Sequence, residues 1–330
     1  MEDVARHAEV STATVSRVIS DPQRVRPVLR LRVQESIDAL GYTPHGAARA
    51  LASQRSNTVG AVIPTLDNAI FATTVQTLQT ELSASGKTLL LAAFDYDLER
   101  ERRQIENLLV RGVDGLMLTG EARHPAAYDL LARRGIRYAN TYVHDPASPH
   151  TTIGFDNRAA MHKVVGYLHQ LGHRRFAMIA GIAEGNDRAS ERIAGTLEAL
   201  AGHGLALPDQ GPLERPYSMA AGREALRNLL ALDPRPTAVV CGNDVLALGA
   251  LLEAAALGIR VPDALSITGF DDLDLAREIP PGLTTVHAPL AEMGRLTAAY
   301  LLDSDPGLPA PKHIELSAEL VVRGSTAPPA

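Results

Sequence analysis

From residue 58 onward, short apolar runs alternate with longer segments in which apolar residues recur at helical spacing. The runs are rich in Val, Ile, Leu and Ala and carry few polar side chains. Runs of this kind are typical of strands that are buried on both faces. The clearest are Thr58–Ile63, Thr88–Ala93, Gly115–Leu118, Phe176–Ile179, Ala238–Cys241 and Ser266–Gly269.

Helix-period segments separate these runs. They are Phe71–Ser85, Leu98–Arg111, Arg158–Leu171, Ala189–His203, Met219–Leu230 and Val245–Ala256. Strands and helices in alternation predict parallel sheets with helices on both faces. Because ligands of such sheets bind beyond the carboxyl ends of the strands, functional residues are expected in the loops that follow each strand.

The N-terminal segment has a different pattern, with helical signals and no strand-like alternation. Ser11 is a suitable N-cap for a helix over Thr12–Ile19, and Gly41 is a suitable C-cap for a helix over Val28–Leu40. Together with a first helix over Glu2–Ala8, these segments predict a helix-turn-helix, whose second helix fits a DNA major groove. The alternative is a plain three-helix bundle that carries an incidental arginine.

The second helix presents short or cationic side chains, which can approach base edges or phosphates. We predict DNA contacts from its cap and first two turns: Ser11, Thr12, Ala13, Thr14, Ser16 and Arg17. The following stretch, HGAARALASQRSN, has a small-residue face and one large apolar side chain, Leu51. An exposed leucine of this kind suits a wedge between base pairs in the minor groove. Arg49 and Leu51 therefore join the predicted DNA contacts, and a linker helix packed on its own domain is the alternative.

Composition and charge exclude several classes of protein. The chain has 330 residues, of which 45% are hydrophobic, and a net charge of −6. The first 60 residues hold eight Arg and six acidic residues, so that this segment carries +2 and the remainder −8. No apolar run approaches the roughly 20 residues of a membrane span, the N-terminus lacks the features of a signal peptide, and a single cysteine, Cys241, excludes an intramolecular disulfide. We therefore expect a cytoplasmic protein with no membrane partner.

Nine motifs occur in the order in which they stand in the lactose-repressor/galactose-repressor (LacI–GalR) family of transcription regulators, and they cover nearly the whole chain. They are DVARHAEVSTATVSRVIS, ALGYTPHGAARALAS, GAVIP leading to DNAIF, GFDN, LGHRR, ERIAGTLEAL, CGNDVLALGAL, VPDALSITGFDD and LTTVHAPLAEMG. By this resemblance the chain is identified as a member of that family.

The resemblance implies three parts: an all-α helix-turn-helix head over residues 1–43, a hinge helix and linker over 44–56, and a two-lobed α/β core of the periplasmic-binding-protein type, with parallel sheets, over 57–330. It implies a ligand-responsive repressor that binds a near-palindromic operator in double-stranded DNA as a homodimer or tetramer. Leu51 and its symmetry mate would then open the central base step. No leucine heptads follow Val322, which favours the dimer.

Two positions depart from the family pattern. The chain begins at Met1, where family members carry a few more residues with a Thr or Ser that caps the first helix, and we expect a start site further upstream. Glu9 stands in the turn where the family most often has glycine. If this residue takes a positive φ, the strain is of order 1 kcal/mol.

The resemblance also implies a ligand between the two lobes. The positions that match effector contacts of the family are Asp67, Asn68, Phe71, Tyr142, Arg192, Tyr217, Asn243 and Asp271. Carboxylate, amide and guanidinium groups beside an aromatic wall suit adjacent hydroxyl groups. For Asp67, Asn68 and Asn243 the alternative is helix capping. For Asp271 it is an ordinary acidic loop, and for the three aromatic residues it is core packing.

The stretches AAFDYDLERE and LTGEARH look similar to the gluconate-repressor branch of the family, which suggests a sugar acid as the effector. Its carboxylate would require a cation, which Arg123 or His124 could supply. A neutral monosaccharide and a nucleoside are the alternatives.

Other signals do not carry a function. Gly86-Lys87-Thr88 lacks the earlier glycine of a phosphate-binding loop, and His162, His169 and His173 have no accompanying carboxylate ligand for a metal. No nucleophile–base pair is visible, so neither an enzyme nor a cofactor is predicted. A carbohydrate-transport protein would lack the first 55 residues, and a Rossmann-type enzyme would need GxGxxG where GAVIPTLDN stands.

Overall fold

The computed structural model describes residues 1–43, 56–67, 69–303 and 311–330. The chain divides into two compact units, the first formed by Met1–Thr58 with Gly112–Asp114 and the second by Val59–Arg111 with Gly115–Ala330. Within the described ranges, no helix has the length and apolar character needed to span a bilayer.

The first unit is a bundle of three short helices, α1 (Glu2–His7), α2 (Thr12–Ser20) and α3 (Pro27–Leu40), with a 3-10 turn at Pro22–Arg24. Its small core contains Val4, Ala5, Ala8, Val15, Val18 and Val33, all buried. Because Val15 and Val18 share one face of α2, and Val4 and Val33 bring α1 and α3 against it, each helix is covered on one face and open to solvent on the opposite face. The predicted helix-turn-helix is confirmed.

The second unit alternates strands and helices along nearly its whole length. Its helices are α4 (Ala72–Ala84), α5 (Leu98–Val110), α6 (Pro125–Arg134), α7 (Asn157–Gln170), α8 (Asp187–Gly202), α9 (Met219–Leu230), α10 (Asp244–Ala256), α11 (Asp274–Glu278) and α12 (Leu290–Leu302). Its strands are β1 (Thr58–Ile63), β2 (Thr88–Ala93), β3 (Gly115–Thr119), β4 (Arg137–Thr141), β5 (Thr152–Gly154), β6 (Phe176–Gly181), β7 (Leu213–Arg215), β8 (Ala238–Cys241), β9 (Ser266–Thr268), β10 (Thr285–His287), β11 (His313–Glu315) and β12 (Glu319–Val321).

Two parallel sheets define two lobes in this unit. The N-lobe contains a six-stranded sheet in the order β11-β5-β4-β3-β1-β2, and the C-lobe contains a four-stranded sheet in the order β7-β6-β8-β9. Helices α4, α5, α6 and α12 belong to the N-lobe, and α7 to α11 belong to the C-lobe. Strands β10 and β12 form a separate antiparallel ladder, in which Val286 faces Leu320. The predicted two-lobed α/β core with parallel sheets is confirmed, and the antiparallel ladder was not predicted.

Close helix packing in the C-lobe depends on two glycines. A Cβ at Gly222 in α9 would collide with the carbonyl oxygen of Leu246, and one at Gly249 in α10 would collide with that of Met219. Helix α10 is therefore buried on nearly all sides, and residues such as Leu246 and Leu251 join the core of this lobe. This packing holds the N-terminus of α10, and with it Asn243, at a fixed position near the carboxyl ends of β8 and β9.

Replacing a fully buried leucine tests the core of the N-lobe. Leu78→Ala should lower the free energy of unfolding by about 2–5 kcal/mol, because the lost methyl groups leave a cavity; Leu78 is 0% exposed. Leu66→Ala is the matched control, since Leu66 is 68% exposed and its loss should change stability by no more than about 0.5 kcal/mol. Urea unfolding of the full chain, followed by circular dichroism, measures both. Equal destabilisation by the two variants would contradict this core assignment.

Candidate functional site

The start of α2 is fixed by its cap. The Ser11 hydroxyl oxygen accepts a hydrogen bond from the Thr14 backbone N–H at 3.1 Å. The same oxygen lies 2.9 Å from the Thr14 hydroxyl oxygen. This satisfies one of the free N–H groups in the first turn. The prediction of Ser11 as the N-cap is confirmed, and the cap sets the orientation of the residues that follow it.

The outer side of α2 is open to solvent. Thr12, Ala13 and Arg17 are exposed, and Thr14 and Ser16 are half-buried. Arg17 forms no hydrogen bond or ion pair with the rest of the described chain, so its guanidinium is free to reach an external group. The structure thus gathers the six predicted contacts of α2 and its cap on one helix. The other two, Arg49 and Leu51, lie outside the described residues, as does the remainder of the predicted hinge at 44–55.

The turn between α1 and α2 contains the unusual residue noted in the sequence. Glu9 has φ of 49°, in the left-handed region that favours glycine. The Arg32 side chain in α3 donates a hydrogen bond to the Glu9 carbonyl oxygen at 3.1 Å, which holds the turn in this conformation. The backbone strain anticipated at this position is therefore present, at a cost of about 1 kcal/mol or somewhat more.

In the C-lobe, Arg192 is buried near the carboxyl end of the sheet. From α8, its Nε donates to Asn157 Oδ1 at 2.8 Å and its Nη1 donates to the Gly242 carbonyl oxygen at 2.7 Å. The guanidinium carbon lies 3.7 Å from the centre of the Phe270 ring, a favourable cation–π geometry. Nη2 faces the Asp271 carboxylate at 3.9 Å.

Two buried side chains beside Arg192 have polar atoms without a hydrogen-bond partner within the described residues. Neither carboxylate oxygen of Asp271 accepts a hydrogen bond, and the Nδ2 of Asn243 donates none. The other end of the Asn243 amide caps α10 by accepting from the Leu246 N–H at 2.9 Å, so one side chain combines a capping acceptor with a buried donor that has no hydrogen-bond partner. Since an unpaired buried polar group costs about 1–3 kcal/mol, these atoms are suited to a bound ligand.

Burial changes the protonation of these carboxyls. It raises the pKa of Asp271 to about 7, and the neighbouring Arg192 and Arg188 oppose the rise. Burial, followed by the charge of Asp271, raises the pKa of Asp244 to about 8, although Asp244 accepts hydrogen bonds from Thr285 and from the Leu273 N–H.

Aromatic rings from both lobes meet above these groups. Tyr96, which follows β2 in the N-lobe, lies with its ring centre 5.7 Å from that of Tyr217 in the C-lobe. The Tyr217 hydroxyl accepts from the Asn186 amide at 3.2 Å. A Cβ at position 181 would collide with the Tyr217 ring, so Gly181 allows the ring to lie flat against β6.

Two cavities adjoin this aromatic pair, and both are lined by Asp67 and Tyr217. One, of about 740 Å³, is also lined by Tyr96, His124, Asn186 and Arg215. The other, of about 680 Å³, is also lined by Asp271. Each is large enough for a small metabolite. We refer to the two together as the cleft.

The structure places two predicted effector contacts elsewhere. Phe71 and Tyr142 are buried in the core of the N-lobe and contact each other edge to face, with ring centres 5.3 Å apart. The Tyr142 hydroxyl donates to Thr74 Oγ1 at 2.9 Å. The prediction that these rings line the cleft is corrected, because core packing accounts for both. Asn68 lies outside the described residues.

The expected cation for a sugar acid is also corrected. Arg123 is fully buried and paired with Glu101 at 3.4 Å, so its charge is already balanced beneath the cleft. His124 lines the cleft, but its ring nitrogen accepts from the Ala126 N–H at 3.2 Å as the N-cap of α6.

Two residues near the cleft were not predicted. Tyr96 carries one side of the aromatic pair, and Arg188 lies one helical turn before Arg192 in α8. Arg188 is buried, and its charge influences Asp271 and Tyr96. Because residues four apart share a helix face, the spacing from Arg192 was a signal that could have identified Arg188.

A helix-turn-helix unit together with a two-lobed α/β body whose cleft holds unpaired polar groups defines a ligand-responsive DNA-binding regulator. Two family models match the chain. The bacterial regulatory protein lacI family matches residues 1–45, and the periplasmic binding protein-like domain matches residues 165–326.

Several known regulators are similar to this chain over nearly its full length. The transcriptional repressor CytR of Escherichia coli K12 is 33% identical over 334 residues, which span 99% of this chain and 96% of CytR. A LacI-family transcriptional regulator from Silicibacter pomeroyi has a crystal structure with a TM-score of 0.88 at 26% identity, covering 98% of both chains. The lac repressor dimer bound to operator and the anti-inducer ONPF gives 0.86 at 25% identity, again over 98% of both chains. The chain belongs to the LacI family of DNA-binding transcriptional regulators, and it is a regulator, not an enzyme.

The raised pKa of Asp271 gives a pH dependence that can be measured. Between pH 3.8, the ordinary value, and about 7, the native state holds a proton that the unfolded chain has released, so rising pH lowers the free energy of unfolding. Asp271→Asn has no such proton. Its stability relative to the native chain should therefore increase from pH 5 to pH 8, as measured by urea unfolding, with the exposed Asp263→Asn as control. A constant difference across this window would contradict the assignment.

Proposed function

We propose that this protein represses genes for the use of a hydroxyl-rich metabolite, and that this metabolite is its effector. The observation that carries the effector assignment is a pair of buried groups without a hydrogen-bond partner, the Asp271 carboxylate, which lines the cleft, and the Asn243 Nδ2 beside the same guanidinium. A ligand hydroxyl can donate to the first and accept from the second. Vicinal hydroxyls of a sugar or sugar acid provide such groups in adjacent positions.

The aromatic pair supports the same class of ligand. Tyr96 and Tyr217 present ring surfaces, which suit the apolar face of a sugar ring, and Asp67 adds a further acceptor at the cleft. Arg192 lies beneath them, and we propose that it orients Asp271 and contacts the effector. Because Arg123 is neutralised by Glu101, a neutral polyol fits the cleft at least as well as a sugar acid. The effector test therefore includes both.

For the DNA, we propose that Ser11, Thr12, Ala13, Thr14, Ser16 and Arg17 contact the operator, with Arg49 and Leu51 acting from the hinge. The accompanying division is a reading head over 1–43, a hinge over 44–56 and an effector-binding core over 57–330. The free guanidinium of Arg17 and the exposed face of α2 support the proposed DNA contacts of that helix. We also propose that the protein acts in the cytoplasm, where operator DNA is accessible.

We further propose that two copies bind a near-palindromic operator together. In the N-lobe, β2 is an edge strand, and Leu91 on it is exposed. In the C-lobe, Leu252 and Leu257, in α10 and directly after it, are exposed as well. Exposed apolar side chains on an edge strand and a helix suit an interface with a second copy. Sedimentation of the purified protein measures the assembly.

Arg17 provides the test of DNA recognition. Arg17→Ala should weaken binding to a DNA fragment from upstream of the protein's own coding sequence by about 1–3 kcal/mol, roughly five- to 150-fold. The matched control is Arg24→Ala, which removes the same charge from an exposed side chain in the same unit. Mobility shifts at one fixed salt concentration compare the two. The surface is misassigned if the Arg24 variant loses as much affinity as the Arg17 variant.

Asp271 provides the test of the effector site. A thermal-shift screen of neutral sugars, sugar acids and nucleosides first identifies the effector. Asp271→Ala should then weaken effector binding about tenfold or more, since it removes a charge-assisted hydrogen bond. Its oxygens accept no hydrogen bond from the described protein, but its carboxylate faces Arg192 Nη2 at 3.9 Å, so circular dichroism first checks that the variant is folded. Titration calorimetry with Asp263→Ala as control then measures the affinity, and unchanged affinity in the Asp271 variant would exclude this carboxylate from the site.

A further inference from the structure

A second set of contacts joins the two lobes beside the cleft. The loop of residues 119–122 leaves the carboxyl end of β3 in the N-lobe and lies against the first residues of α8 in the C-lobe. Asp187 Oδ2 accepts hydrogen bonds from the Glu121 and Ala122 backbone N–H groups, at 2.5 and 3.2 Å. One carboxylate of the C-lobe thus binds two backbone donors of the N-lobe.

Arg188 completes the contact. Its Nη1 donates to the Thr119 carbonyl oxygen of the N-lobe at 3.4 Å and to Asp187 Oδ1 at 2.6 Å. The second bond holds the Asp187 carboxylate in position, so that its other oxygen points at the loop. Charged groups make hydrogen bonds roughly twice as strong as neutral pairs, and Arg188 is buried, which limits competition from water.

The loop itself is shaped for this contact. Gly120 has φ of +74°, and a Cβ there would collide with Arg188 Nη1 and with Asp187 Oδ1. From inside the N-lobe, Arg123 Nη2 donates to the Gly120 carbonyl oxygen, and Arg123 is paired with the buried Glu101. The buried ion pair, which serves no effector in the proposal above, braces the loop that receives α8.

We propose that Asp187 and Arg188 form a latch on residues 119–122 that holds the two lobes closed through groups of the chain itself. Part of the free energy that favours the closed lobes then comes from the latch and does not depend on the effector. A ligand that contacts both lobes adds to this component and shifts an equilibrium that the latch already biases. Only this last consequence rests on the proposed function; the latch is a property of the two lobes.

Hydrogen exchange of the full-length protein tests the latch directly. Asp187→Ala should speed exchange of the Glu121 and Ala122 amides about tenfold or more, because both lose a charge-assisted acceptor. The radius of gyration from small-angle X-ray scattering should increase. Exchange within β3 and β6 should stay as it is, which distinguishes opening of the lobes from unfolding.

A glycine variant tests the same contact from the other lobe. Gly120→Ala should reproduce both changes, because the new methyl group displaces Arg188 and Asp187. The matched control is Gly135→Ala, at the C-terminal end of α6 in the same lobe, where φ is +59° and no heavy atom lies within 4 Å of the new Cβ. It carries the same backbone strain without the collision, and should leave exchange at 119–122 and the radius unchanged.

The proposal is overturned if the Asp187 variant keeps its exchange rates at Glu121 and Ala122, or if Gly120→Ala and Gly135→Ala behave alike. Neither measurement uses DNA or an effector. Failure of the native chain to bind any operator would therefore contradict the proposed function while leaving the latch supported, so the two failures are distinguishable.

Discussion

The cleft depends on one buried cation, the guanidinium of Arg192. It is bonded to a side chain of α7 and to the turn after β8, and it lies on the Phe270 ring at the end of β9. Three segments of the C-lobe, the start of α7, the turn after β8 and the residues after β9, are thereby fixed around a single group. A charge in this environment is tolerated only where it is paired and hydrogen-bonded. The nearby Asp271 carboxylate supplies the opposite charge, at 3.9 Å from Nη2.

This arrangement explains why polar groups remain unpaired in an otherwise well-bonded lobe. Asp271 and Asn243 are held by backbone contacts, since the Asp271 N–H donates to the Val286 carbonyl oxygen and Asn243 caps α10. These contacts leave the carboxylate oxygens of Asp271 and the Nδ2 of Asn243 without a hydrogen-bond partner. Asp271 also has φ of 113°, a conformation that few side chains adopt. Strain and unpaired polarity therefore coincide at one residue, which is typical of a binding site and not of a structural one.

Much of the fold could be predicted from the sequence because its signals are local. The strands β1, β3, β6 and β8 are almost entirely apolar, and burial on both faces requires that pattern. Ser11 and Gly41 mark helix ends by capping chemistry. In contrast, β5, β7 and β10 have three residues each, too few for any periodicity, and their pairing is decided by tertiary contacts.

The site could be predicted only in part, for reasons of the same kind. Arg192 and Asp271 contact each other, and Tyr217 and Asp271 line one cavity, while their role as effector contacts stays a prediction from the family resemblance. Phe71 and Tyr142 do not line the cleft, because an aromatic residue after a strand can turn into the core as well as into the cleft. Tyr96 lines the cleft from a pair of left-handed residues, Asp95 and Tyr96, and a tyrosine is not a residue type that signals that conformation.

The glycine at the end of β6 has a consequence for how a ligand is received. Since Gly181 lets the Tyr217 ring rest directly on the strand, and Asn186 bonds its hydroxyl, the ring has one orientation before anything binds. Ordering a free side chain at a binding site costs roughly 0.5–1.5 kcal/mol. Because Gly181 has no Cβ, the Tyr217 side chain is already ordered in the folded protein. Ligand binding therefore does not have to order this wall of the cleft.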